Sequence, residues 1–337
     1  MRRFGITVGL AAMIVTAASG AAWSAEQLAV ALNWVPGGDD AALYYARKLG
    51  WYQAAGIDLE LEAGKGSAGS VQRVAVGQTK LGIADMGVVI NGRGKGARVV
   101  AIMNLYANSA LGFYWLKSSG ITGVKDFAGK RIGVPAGDTH RVLWPALAKK
   151  AGVDPAGVTW VNVDPNGKLA ALKAKAIDVT PNFYNVHHIM ARELGADMGF
   201  LPWREAGINP YGLSIIVNQD YLAASPETVG RFVQVTQRAY AACVATPQPC
   251  VEALIEAVSG TRLDNETINW QLTMVLMSDP VSRTKALGWH DDQRMADDYA
   301  LIQQYLTIEQ PYDVRDVYTN RFLDPAIKMV AAPEPTL

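Results

Sequence analysis

The stretch Ala31-Leu32-Asn33-Trp34-Val35-Pro36-Gly37-Gly38-Asp39-Asp40-Ala41-Ala42-Leu43-Tyr44-Tyr45 decides how this chain is read. It starts as a strand, because residues 28–32 are apolar and uncharged, the mark of a strand buried on both faces. Pro36-Gly37-Gly38 breaks that strand. A helix then opens at Asp39-Asp40 and runs through Leu43, Tyr44 and Lys48; either carboxylate suits the positive end of that helix as a cap. Trp34 lies at the carboxyl end of the strand, facing the helix N-terminus, which is where open α/β sheets bind ligands. A single Trp is more often packing than contact, so on this stretch alone Trp34 reads as a core aromatic.

About a hundred residues later the same logic returns. Residues 130–134 form a strand, Pro135-Ala136-Gly137-Asp138-Thr139-His140 break it, and a helix follows over 141–151. Two strand–loop–helix units facing each other make a cleft, and Trp34 then becomes one of its walls. Between them lie strands at 57–61, 81–85 and 99–104, and a small-residue loop, Gly64-Lys65-Gly66-Ser67-Ala68-Gly69-Ser70, that leads into a helix and offers backbone N–H groups. That loop lacks the Gly-Lys-Ser/Thr ending of a nucleotide P-loop. Residues 111–116 read as a strand leaving the first lobe. Strands at 158–163, 176–180 and 198–201 alternate with helices, and Asn182-Phe183-Tyr184 follow one of these strands towards the cleft. Residues 211–218 form an apolar strand that returns to the first lobe, and from Pro226 the chain is helical. Over the first ~90 residues the alternation predicts an α/β fold with a mostly parallel sheet.

The N-terminus reads as a secretory signal peptide over residues 1–25. Arg2-Arg3 precede an apolar run at 5–15 and an Ala-rich segment at 17–25, with cleavage expected between Ala22 and Ala25. The run is shorter than the ~20 residues a membrane span needs. The chain has 31 basic and 31 acidic side chains. Loss of Arg2 and Arg3 leaves the mature form slightly acidic, with dispersed charge that gives no support to nucleic-acid binding. Cys243 and Cys250 flank Val-Ala-Thr-Pro-Gln-Pro; in an exported protein this spacing favours a disulfide clipping a helix end to the segment after it, with two buried thiols as the alternative. Neither has a nearby His, so they make no zinc site. No cofactor is expected. His187-His188 are adjacent and cannot share one helix face, which assigns them to the surface or to a supporting layer rather than to a metal. Asp291-Asp292 and Asp297-Asp298 read as solvated helix ends.

Several short segments in this order carry a family resemblance: Leu32-Asn33-Trp34 with Leu43-Tyr44-Tyr45-Ala46, Gly50-Trp51-Tyr52, Ala55-Gly56-Ile57-Asp58-Leu59, Val76-Gly77-Gln78 with Leu81-Gly82-Ile83-Ala84-Asp85, Phe127 to Pro135, and Leu169-Ala170-Ala171-Leu172 with Ile177-Asp178. Here the chain resembles the periplasmic solute-binding proteins of ABC importers, in the group that handles nitrate, taurine, alkanesulfonates and thiamine-pyrimidine precursors. The resemblance covers about residues 28–238. It implies a two-lobed, type II periplasmic binding protein fold: lobe 1 from 26–115 plus 210–337 with the helical tail, lobe 2 inserted as 116–209. It also implies a monomer in the periplasm that hands a small solute to a membrane permease with its ATPase. The expected ligand-binding residues are Trp34, Asp39, Asp40, Ser67, Gly137, Asp138, Thr139, His140, Asn182 and Tyr184. Asp138 stands where sulfonate-binding and nitrate-binding relatives tend to have Ser, and a carboxylate repels an anion but accepts hydrogen bonds from an amine. Trp34, Tyr184 and Trp144 offer rings for stacking, although Trp144 also suits the core. An aminopyrimidine-type thiamine precursor fits best. A sulfonate, taurine, nitrate or an aromatic carboxylate held by His140 or Arg141 is the alternative. For Asp39, Asp40 and Asp138, capping and ligand contact both stay open. Pyrimidine synthases share this fold and the Trp-bearing opening but carry a Cys-rich segment that this chain lacks, and no Ser-His-Asp set is defensible from spacing, so an enzyme is not expected.

Overall fold

Strand patterning divides the chain into two sheets in the computed structural model, which describes Met1 and residues 25–332. The core of the expected signal peptide and the Pro-rich end of the chain lie outside the described residues. The first sheet holds β1 (Glu26–Ala31), β2 (Ile57–Glu62), β3 (Leu81–Asp85), β4 (Val99–Asn104) and, from far along the chain, β10 (Leu213–Asn218). Its order is β2-β1-β3-β10-β4. β1 runs parallel to β2 and β3, whereas β10 is antiparallel to both neighbours. β3, β4 and β10 are buried on both faces, as their near-continuous apolar sequences require. β2, at the edge, alternates instead: Ile57 and Leu59 are buried, Asp58 and Glu60 exposed.

The second sheet holds β5 (Leu111–Leu116), β6 (Arg131–Gly133), β7 (Thr159–Val161), β8 (Val179–Phe183) and β9 (Met198–Pro202), in the order β7-β6-β8-β5-β9. This corrects one expectation. Residues 111–115 do not belong to the first lobe; β5 is an interior strand of the second sheet, antiparallel to β8 and β9. Leu-Gly-Phe-Tyr-Trp-Leu is apolar on both faces, which suits an interior strand, and Gly112 leaves room for the Phe200 ring, 2.7 Å from where a Cβ would stand. The chain thus crosses between sheets at residues 105–110 and 208–212. The two crossings are bonded to each other: Gly212 N–H donates to Tyr106 O (2.9 Å), and Ser109 N–H to Asn209 Oδ1 (2.9 Å).

The helices Pro226–Ala245, Pro247–Ala257 and Leu263–Met277 cover the first sheet, packing Phe232, Tyr240, Leu254 and Trp270 on Leu28, Val30 and Ile215. Cys243 and Cys250 are disulfide-bonded, with Cα atoms 5.8 Å apart, and join the end of the first of these helices to the start of the second. A further core runs without interruption from Val89 and Ile90, near the first sheet, through Leu143 and Leu147 to Phe113 and Trp203 of the second. The Asp292–Tyr305 helix adds Met295 and Ile302 to it. Asp298 of that helix is therefore not a solvated end: its buried carboxylate accepts the Tyr211 N–H (2.8 Å) at a crossing, and burial raises its pKa to about 7. No helix of the described residues is long and apolar enough to cross a membrane.

Candidate functional site

The loop after β1 behaves differently from a simple helix cap. Asp40 precedes the Ala41–Lys48 helix, yet its side chain makes no capping bond there; its Oδ2 accepts the Gly37 N–H instead (3.3 Å). Asp39 Oδ2 accepts the Tyr106 hydroxyl (2.9 Å), and the Tyr240 hydroxyl donates to the Asp39 carbonyl (3.0 Å). Glu266, from the Leu263–Met277 helix, reaches the same loop and accepts the Gly38 N–H (2.6 Å). Gly38 must be glycine here, since a Cβ would lie 2.4 Å from the Glu266 carbonyl oxygen. Three carboxyl groups thus share one loop. Burial raises the pKa of all three; repulsion by Asp39 adds to this for Asp40 and Glu266, and Glu266 is pushed up to about 7. Glu266 and Tyr106 are far from the loop in sequence, and nothing in their local pattern marks them.

The facing loop, after β6, does contain a cap. Asp138 Oδ1 accepts the His140 N–H (2.8 Å) at the start of the Thr139–Lys150 helix and also lies 2.8 Å from His140 Nδ1. Gly112 N–H donates to His140 Nε2 (3.1 Å), which makes Nε2 the acceptor and Nδ1 the protonated nitrogen of a neutral ring. Burial lowers the His140 pKa, more than the Asp138 carboxylate raises it. Burial pushes the Asp138 carboxyl upward, but the His140 and Lys168 contacts outweigh it and hold it below the usual carboxylate range. Both ring nitrogens of His140 are engaged and the ring is packed among Phe113, Phe183 and Trp203, so the expected donation from His140 to an anion is replaced by a supporting role. Trp144 is core as well: it is 2 % exposed and donates to Pro155 O.

The two loops meet. Ala68 N–H donates to Gly137 O (3.1 Å), and Thr139 Oγ1 donates to Ser67 Oγ (3.0 Å), which in turn accepts the Asp85 N–H (3.0 Å). Gly66 permits this approach: its φ is +134°, and a Cβ there would stand 2.2 Å from the Gly137 oxygen. Thr139 is therefore joined to Ser67, and Gly137 to Ala68, from one loop to the other. Asn185 Nδ2 donates to Asn269 Oδ1 (3.2 Å), a second bridge, and leaves its own Oδ1 without a partner among the described residues.

Trp34 is half-buried, with the Lys168 ammonium 4.6 Å from its ring centroid. Lys168, like Glu266, is a residue that the sequence reading missed. It is 5 % exposed, donates to Pro181 O (2.7 Å) and stands at the start of the Lys168–Lys173 helix, where the helix dipole disfavours a cation. Burial depresses its pKa to about 8, with Asp138 acting in the opposite direction. A lysine at a helix N-terminus, after Asp164-Pro165-Asn166-Gly167, was the one available signal. Tyr184 stacks on His187 (5.2 Å between centroids) under the Arg204 guanidinium, 4.8 Å from its ring. Asn182 is turned towards Met190 Sδ (3.5 Å). His187 and His188 are buried; His187 Nδ1 lies 3.0 Å from the Tyr114 hydroxyl.

The site so assembled presents four carboxyl groups, Asp39, Asp40, Glu266 and Asp138, one buried ammonium and two half-buried rings. The profile of the family described as NMT1/THI5 like matches residues 38–250. Among curated proteins, the chain is 26% identical over 306 residues to a 4-amino-5-hydroxymethyl-2-methylpyrimidine phosphate synthase of Legionella pneumophila, covering 88% of this chain and 92% of that one. It is 20% identical to a formylaminopyrimidine-binding protein of Halalkalibacterium halodurans, covering 88% and 90%. Solved structures that share the fold include two from bacteria. The ligand-binding component of an ABC-type import system from Staphylococcus aureus superposes with a TM-score of 0.64 at 14% identity, over 88% of this chain and 97% of that one. The periplasmic aliphatic sulphonate-binding protein SsuA of Escherichia coli does so with 0.63 at 13%, over 93% and 96%.

Proposed function

This chain belongs to the NMT1/THI5-like family, and from that membership we propose that it is the extracytoplasmic solute-binding component of an ABC importer, exported by a cleaved signal peptide, which closes as a monomer on an aminopyrimidine-type thiamine precursor and delivers it to a membrane permease and its ATPase. The observation that carries the choice of solute is the convergence of Asp39, Asp40 and Glu266 on one loop beside Trp34 and Lys168. An aminopyrimidine has an exocyclic amine that donates and ring nitrogens that accept. Its donor edge suits the carboxyl groups, its acceptor edge suits Lys168, and its face suits Trp34. A sulfonate or nitrate would face three carboxyl groups, which is unfavourable where they ionise. The bridges between Ser67 and Thr139 and between Asn185 and Asn269 supply contacts of the kind a solute-stabilised closed state uses.

A synthase is the second reading, favoured by the name of the Legionella relative. Against it stands the engagement of both His140 nitrogens in the protein's own contacts, which supports binding over proton transfer. The test is calorimetric titration of the mature protein with 4-amino-5-hydroxymethyl-2-methylpyrimidine, taurine, nitrate and benzoate. Saturable binding of the pyrimidine, weakened at least tenfold in Trp34→Ala while the melting temperature stays within a few degrees, is the expected result. Response to the anions alone overturns the solute. Turnover of the pyrimidine or its precursors overturns the binding role.

A further inference from the structure

Away from the cleft, on the outer side of the first sheet's helical cover, lies a concavity of about 590 Å3. Three arginines line it: Arg231 and Arg238, two turns apart on the Pro226–Ala245 helix, and Arg321 from the segment that crosses in front of that helix. Two of the three guanidiniums are held by aromatic faces, Arg238 at 3.7 Å from the Trp51 ring centroid and Arg321 at 4.6 Å from that of Phe322. Arg231 is steadied by donating to Ala55 O (2.8 Å) and Thr228 Oγ1 (3.0 Å). Among the described residues none of the three pairs with a carboxylate, whereas Arg98, Arg131, Arg262 and Arg315 elsewhere on the surface do. Asp324, the one carboxyl group lining the concavity, already accepts the Ala326 N–H (2.8 Å).

This arrangement has a chemical direction. Cation–π contact uses the face of a guanidinium and leaves the N–H groups of its edge available, and those forked edges match the paired oxygens of phosphate and carboxylate. Stacking also fixes arginine side chains that would otherwise lose conformational entropy on binding. Val235, Phe322 and Ile327, all half-buried, give the lining an apolar part beside the charges. The volume lies within the range of small-molecule sites, roughly 300–1,000 Å3. We infer that the concavity formed by Arg231, Arg238 and Arg321 is a second ligand site, separate from the cleft, for a small organic oxyanion with an apolar or aromatic body, of the phosphate-monoester class.

Calorimetry on the mature chain at low ionic strength, with phenyl phosphate as the probe and phenol and inorganic phosphate as controls, tests this. Phenyl phosphate should bind one per chain, more tightly than either control, and its affinity should fall with added salt because the charges stand near the surface. The double variant R238A/R321A should lose tenfold or more, with a parallel loss in the single exposed variant R321Q, which touches no core contact if the double variant proves unstable. The cleft variant W34A should bind phenyl phosphate as the parent does. Binding that vanishes in W34A and survives in R238A/R321A places the anion in the cleft and overturns the inference, as does an absence of binding by the parent. Sedimentation with phosphatidylglycerol vesicles without a response to phenyl phosphate overturns it too, making the patch a membrane contact.

Discussion

Replacing Lys168 by methionine should make the protein more stable and less able to bind its solute, and the pH dependence of that gain can be worked out in advance. The lysine is almost fully buried against Trp34, and burial brings its pKa from 10.5 to about 8. Each pH unit of such a shift is about 1.4 kcal/mol, so holding the ammonium in the fold costs about 3 kcal/mol relative to the neutral amine. Methionine fills a similar length without charge but leaves Pro181 O without its donor, which costs about 1–2 kcal/mol. The net gain at pH 7 should be about 1–2 kcal/mol. Between the folded and unfolded pKa values the unfolded chain holds more protons than the folded one, so stability of the parent rises with pH. The penalty is complete below pH 8, shrinks from there to about pH 10.5, and is absent beyond it. The margin of Lys168→Met over the parent should therefore narrow by about 3 kcal/mol across that window. Urea unfolding followed by tryptophan fluorescence at intervals from pH 7 to 10.5 measures it. A margin that does not change with pH, or a variant less stable than the parent at pH 7, would refute the assignment of Lys168 as a buried cation retained for binding.

Other perturbations have equally definite outcomes. Gly66→Ala places a methyl group against the Gly137 carbonyl and should separate the two loops, raising the radius of gyration in solution scattering and lowering solute affinity tenfold or more; unchanged scattering and affinity would sink the idea. Glu266, pushed up from 4.5 to about 7, binds a proton more tightly in the folded state, so its stabilising contribution is present in acid and is lost as pH rises towards 7. Glu266→Gln should gain on the parent by about 2 kcal/mol between pH 4.5 and 7, allowing for partial exposure, and denaturant midpoints at the two ends of that range decide it. Replacing Cys243 and Cys250 by serine, which opens a loop with a sequence separation of 7, should cost about 2.5 kcal/mol on loop entropy, read as a drop in melting temperature that reducing agent reproduces in the parent.

Much of the fold was legible because its strands carry near-continuous apolar runs and its loops carry Pro and Gly at the breaks. The opening strand and the Pro-Ala-Gly-Asp loop fall where patterning put them, but residues 67–70 of the expected small-residue loop form the first turn of the Ser67–Ala75 helix. β5 was misplaced because an interior apolar strand looks the same in either sheet; only its partners, β8 and β9, decide its membership. Within the candidate site, the sequence points to residues beside the Pro-Gly breaks and is silent on those brought in by packing. Trp34, Ser67 and Thr139 are announced by turn chemistry nearby, whereas Glu266 and Asn269 lie on an ordinary-looking helix that reaches the loop only through tertiary packing. Asp138 combines a cap with the fixing of His140, and that second task depends on Gly112, which lies 28 positions away in the chain. Asp298 was misjudged for a similar reason: an acidic pair on a helix looks solvated until the crossing at Tyr211 covers one of its members.

The place of β10 in the first sheet has a consequence for how the molecule comes into being. It pairs with β3 and β4, yet more than a hundred positions separate the end of β4 at Asn104 from Leu213. Until it arrives, β3 and β4 have no common neighbour, and each shows an open edge of the kind that invites pairing with other chains. All five strands of the second sheet, by contrast, come from one uninterrupted segment, 111–202. Closing a long loop is slow relative to local assembly, so the inserted half should acquire protected amides first in pulsed hydrogen exchange, and the half that begins the chain should be finished last. Simultaneous protection of both sheets would contradict this order. The interval between the two events is when a newly made chain most needs shielding from its own copies, and mutations in β10 should act on yield during production more strongly than on the melting of the finished protein.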